Sequence, residues 1–62
     1  MDANELVVGN KYRIKDGVPL KVCAGPMTYT GTETFRGVTN HVFWDATMRL
    51  AHWIDPEKIE TA

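Results

Sequence analysis

Two stretches of this chain alternate apolar with polar side chains. Tyr12 and Ile14 alternate with Lys11, Arg13 and Lys15, and Val18, Leu20, Val22 and Ala24 alternate with Pro19, Lys21 and Cys23. A period of two belongs to a strand with one buried face. Glycines at 9, 17, 25, 31 and 37 recur every six to eight residues. That spacing suits short strands joined by turns and would cut helices too often. Residues 1–8 read as an N-terminal arm or turn, and residues 9–62 as one small β unit.

The first pair of strands predicts its own register. A two-residue turn at Asp16-Gly17 would set Lys15 opposite Val18 and Arg13 opposite Leu20, placing charge on the apolar face. A three-residue loop, Lys15-Asp16-Gly17, pairs Ile14 with Val18 and Tyr12 with Leu20, and leaves Gly17 at the left-handed position. A slip of one residue inverts every side chain, so the three-residue loop is expected. Lys11 then lies opposite Lys21 with Arg13 beside them. This is a solvated basic face that also discourages edge pairing, or a contact for an anion.

Farther along, residues 27–36 gather Thr, Tyr and Phe around Gly31 and predict a second hairpin or a long, partly extended loop. Val38-Thr39-Asn40 then leads into a strand at His41–Trp44. Residues 45–54 have two readings. Asp45 could cap a helix over 46–54, since Ala, Met, Arg and Leu favour helix. The same stretch alternates Met48, Leu50, His52 and Ile54 against Arg49, Ala51 and Trp53, which suits a strand paired with 41–44.

The ending Trp53-Ile54-Asp55-Pro56-Glu57-Lys58-Ile59-Glu60 resembles the close of an SH3-like barrel: a strand, a proline, one 3₁₀ turn, then a short strand with an aliphatic residue followed by an acid. Asp55 can cap that turn at 55–58, Pro56 fits its first position, and Glu57 suits its positive end. The opening Val8-Gly9-Asn10-Lys11-Tyr12-Arg13-Ile14-Lys15-Asp16-Gly17 similarly resembles the first hairpin of small freestanding SH3-like proteins of bacteria and phages. The acidic, aromatic-rich loop of peptide-binding SH3 domains has no counterpart, so the resemblance implies fold and not a proline-peptide ligand. The expected fold is mainly β: a small SH3-like five-stranded barrel or a strongly bent antiparallel sheet, with α+β and a helix at 46–54 as the alternative.

Size and charge narrow the functions. A chain of 62 residues and 7.0 kDa buries only about 60% of its unfolded surface, so its stability margin is thin and association would help it. Net charge of -1 gives no general attraction to nucleic acid or to anionic membrane. No apolar run approaches the roughly 20 residues of a spanning helix. Met1-Asp2-Ala3-Asn4-Glu5 lacks the basic start and apolar stretch of a signal peptide, and Cys23 is the only cysteine. Both point to a reducing, cytoplasmic setting. Cys23, His41, His52, Asp45 and Asp55 are spaced like no paired ligand motif, so neither metal nor cofactor is expected. No nucleophile–base pattern or phosphate loop specifies a reaction.

The informative feature is an excess of aromatic side chains in the C-terminal half. If Trp44 pairs with Met48 across a three-residue loop, Val42 pairs with Leu50 and these four face inward. Phe43, Arg49, His41, Ala51 and Trp53 then face out. Aromatic residues and Arg are enriched where proteins bind one another. His41, Phe43, Arg49 and Trp53 are therefore the candidate contacts of a non-catalytic interaction module, a small regulator or inhibitor that binds a partner protein or forms a homodimer. The competing reading is a nucleic-acid or nucleotide-binding barrel, with Lys11, Arg13, Lys21 and Arg36 as phosphate contacts and Tyr29 or Phe35 as stacking platforms. Near-neutral charge disfavours it.

Overall fold

A computed structural model describes residues 1–19 and 25–62. It contains five antiparallel strands: β1 (Lys11–Ile14), β2 (Met27–Phe35), β3 (Val38–Asp45), β4 (Leu50–Trp53) and β5 (Ile59–Thr61). They form one open sheet in the order β4-β3-β2-β1-β5, with β4 and β5 at its edges. Single 3₁₀ turns at Ala3–Glu5 and Pro56–Lys58 are the only helical elements among the described residues. The mainly β expectation holds.

The helix proposed over 46–54 does not form. Residues 46–49 make a turn and β4 follows. Asp45 caps as the sequence suggests, since its Oδ1 accepts from the Thr47 and Met48 N–H groups at 3.0 and 3.2 Å. It caps a hairpin turn, because β3 offers the following residues a ladder that outweighs their helix propensity. The turn at 55–58 appears as expected. Asp55 Oδ1 accepts from Glu57 N–H at 3.0 Å, and Pro56 takes the first position.

Gly17 adopts φ +84° as expected, but the three-residue loop does not form. Val18 N–H donates to Lys15 O at 3.3 Å, a tight turn centred on Asp16-Gly17, and Ile14, the expected partner of Val18, pairs with Ile59. Leu20 and Lys21, the partners expected for Tyr12 and Lys11, lie outside the described residues. Tyr12 and Lys11 themselves pair elsewhere. Tyr12 stands opposite Met27 on one edge and Thr61 on the other, and Lys11 stands opposite Thr28. β1 is thus the seam between β2 and β5.

β2 and β3 form the long central hairpin. Phe35 faces Val38 across a two-residue turn in which Arg36 and Gly37 have φ of 51° and 78°. Positive φ at both positions gives the turn whose twist matches its flanking strands. The register shifts between Tyr29 and Gly31, so Gly31, at φ +119°, marks a bulge.

Residues opposite one another share a face of the sheet. Tyr29, Phe43 and His52 therefore face inward together, and Thr28, Trp44 and Ala51 face outward. Tyr12, Met27, Tyr29, Phe43, Ile54 and Ile59 make the core, with Met1, Leu6 and Ile14 against it. The sheet curls enough for Ile59 of β5 to join Phe43 of β3. Tyr12 meets both Tyr29 and Phe43 edge-on at 6.3 Å, a favoured geometry for aromatic pairs.

Candidate functional site

The outward face of β2, β3 and β4 carries the exposed rings. Along β3, Val38, Val42 and Trp44 share that face. Trp53 lies opposite Val42, and Phe35 opposite Val38. Trp53 is 48% exposed and Phe35 54%. Their ring centroids are 5.9 Å apart with planes at 48°, and the Arg36 guanidinium sits 5.3 Å from the centre of the Phe35 ring. A cavity of about 330 Å³ opens beside Trp53, walled also by Asn40, His41, Asp55 and Pro56. Among the described residues, eight large hydrophobic side chains are exposed against six in the core. This small subunit leaves more of them in water than it buries.

The expected contacts separate. Trp53 is outward and exposed, as proposed. Arg49 is exposed at the end of the β3–β4 turn, with φ 55°. Phe43 is corrected: it has no exposed surface and lies at the centre of the core. The reason is loop length. Four residues, not three, connect Asp45 to its partner Leu50, and that difference of one reverses which side chains of β3 point inward. His41 also turns inward. It is half-buried, and its Nδ1 lies 3.0 Å from the Tyr29 hydroxyl. Phe35, Trp44 and Arg36 take their places in the patch.

The basic set does not assemble. Arg13 is paired with Glu60 at 3.1 Å and Asp16 at 3.6 Å, and the Lys11 ammonium donates to the Thr28 hydroxyl. Arg36 follows Phe35, which lies seven residues along β2 from the Thr28 that pairs with Lys11; at about 3.3 Å per residue that strand length is roughly 23 Å. Tyr29 is 5% exposed, so it has no ring face to offer a base, which corrects its role as a stacking platform. Lys21 lies outside the described residues.

Sequence reasoning missed one pair. Asp45 is fully buried, and its Oδ2 lies 3.2 Å from His52 Nε2 while Oδ1 holds the turn amides. The carboxylate thereby ties the start of the turn to the third residue after its end. Asp45 and His52 lie seven positions apart on different strands, and only the pairing of β3 with β4 brings them together. No group of three or more His, Cys, Asp or Glu side chains able to hold a metal occurs among the described residues. No helix among them is long and apolar enough to cross a membrane.

Comparison of the chain with family models, curated proteins and solved structures finds no match.

Proposed function

We propose that this chain is a non-catalytic protein-interaction module, a small cytoplasmic regulator or inhibitor of SH3-like fold that binds a partner protein through the outward face of β2, β3 and β4. The carrying observation is the Phe35–Trp53 contact: two rings in tilted contact, each about half in water, with Arg36 over one of them. Trp and Arg are the residues whose burial most often dominates binding energy, and contiguous exposed rings mark such surfaces. The SH3-like reading draws support from the order of the last elements, in which β4, the Pro56–Lys58 turn and β5 follow as the resemblance implies. The cytoplasmic reading rests on the single cysteine.

The test is capture of partners from host extract on the tagged chain, followed by titration of the purified partner against variants. Trp53→Ala and Phe35→Ala should each weaken binding at least tenfold while the fold is kept. Lys11→Ala, on β1 and outside the β2–β4 part of that face, should change it less than twofold. Equal affinities for all four proteins would overturn the assignment of this surface.

A further inference from the structure

We infer that the partner of this face includes a second copy of the chain, joined edge to edge through β4 about a two-fold axis at His52. The inference rests on the interaction reading above and names its occupant. Ile54 N–H donates to His41 O at 3.1 Å, and Ile54 is opposite His41 by continuation of the β3–β4 register. Hydrogen-bonded and non-bonded pairs alternate along an antiparallel ladder. His52 and Leu50 therefore turn their backbone groups toward β3, while Ala51 and Trp53 turn theirs outward. Among the described residues no backbone group is paired with those of Ala51 and Trp53. The strand itself, Leu50-Ala51-His52-Trp53, holds none of the lysines or prolines that guard exposed edges.

An antiparallel pair keeps both copies' outward faces on one side only when facing residues have the same parity. Centring on His52 sets Ala51 opposite the second copy's Trp53, and Trp53 opposite its Ala51. Each of these pairs exchanges two backbone hydrogen bonds, so all the outward groups of β4 are satisfied. The largest outward side chain of the strand then lies over the smallest, beside Trp44, which is Ala51's own neighbour on β3. The same register brings Arg49 opposite Asp55 at both ends, matching opposite charges. Centring on Ala51 would set Arg49 against Trp53, and centring on Trp53 would set ring against ring, so the His52 register fits best. Trp44 and Trp53 keep 40% and 48% of their surface outside the subunit, which at roughly 250 Å² for an indole side chain is about 100 Å² each. With the paired backbone added, the contact stays below about 1,200 Å² in total, in the range of weak, transient interfaces.

Sedimentation velocity of the full chain from about 1 μM to 1 mM spans the range where an interface of that size assembles. The expected mass rises from 7.0 kDa toward twice that value. Ala51→Pro, which removes an outward N–H and no ladder bond, should hold the chain at 7.0 kDa. Arg49→Glu, in an exposed turn, should weaken dimerisation at least tenfold and stands in if the proline variant fails to fold. A wild-type chain that stays monomeric throughout overturns the inference, as does dimerisation unchanged in a folded Ala51→Pro and in Arg49→Glu. A monomer that still loses a captured partner on Trp53→Ala overturns self-association alone. A monomer whose partner binding ignores Trp53 overturns the interaction reading as well.

Discussion

Phe35 and Trp53 meet across β3 at 5.9 Å, their planes tilted by 48°, although one ends β2 and the other ends β4. Neither ring enters the core, and between their strands β3 contributes Val38 and Val42 to the same outward face. The contact holds an apolar surface in place in water, where burial inside the subunit would have been the usual outcome for side chains of this size.

That contact should be measurable in the free chain. Aromatic pairs couple by about 0.5–1.5 kcal/mol beyond the area they bury. A double-mutant cycle on Phe35→Ala and Trp53→Ala, read by urea denaturation at low protein concentration, should return a coupling in that range. A coupling indistinguishable from zero would mean the rings do not meet in solution.

Phe43 and Trp44 are neighbours in sequence and should behave oppositely. Truncating a fully buried Phe costs about 3–5 kcal/mol, enough to unfold much of a chain this small. Trp44→Ala, on the outward face, should cost under about 1.5 kcal/mol. Circular dichroism melts of the two variants test the four-residue turn directly, because a three-residue turn would reverse the result.

Asp45 ties the β3–β4 turn together through both oxygens. Removing a partner from buried polar groups costs about 1–3 kcal/mol for each left unsatisfied, and the turn amides can recover part of that from water. Asp45→Ala should therefore lose about 2–3 kcal/mol, and Asp45→Asn, which keeps an acceptor for the Thr47 and Met48 amides, about 1 kcal/mol. Urea midpoints equal to wild type for Asp45→Ala would refute the clamp.

Arg49 holds φ 55° without a glycine. Left-handed backbone costs a side-chain-bearing residue on the order of 1 kcal/mol, partly offset by the extra freedom glycine has when unfolded. Arg49→Gly should stabilise the monomer by about 0.5 kcal/mol in urea denaturation at micromolar protein, while weakening association at high concentration. A destabilised monomer would show that Arg49 makes an intrachain contact that outweighs its strain.

What the sequence revealed and concealed follows from the range of each signal. β1 and the turn at Pro56 were legible because alternation and the Asp55-Pro56 pair act locally, whereas β4 was ambiguous between strand and helix because its alternation and its helix propensity point opposite ways. The capping role of Asp45 was legible too, but a cap does not say whether a helix or a tight turn follows. The partners of β1 were not legible, since alternation marks a face and says nothing about which strand lies alongside. Tyr12 ends between Met27 and Thr61, one of them 49 residues away. β2 was obscured by its bulge at Gly31, which shifts the alternation midway, and by Arg36 in a position where Asn or Gly is usual. An excess of exposed rings was predicted correctly in kind. Its membership was not, because Phe43 and Trp44 exchange places with one residue of loop length.

The most direct test of the outward face is the affinity of a purified partner, or of the second copy, for wild type and for Trp53→Ala. The account requires at least a tenfold loss with an unchanged fold. Undiminished binding by a folded Trp53→Ala would contradict it.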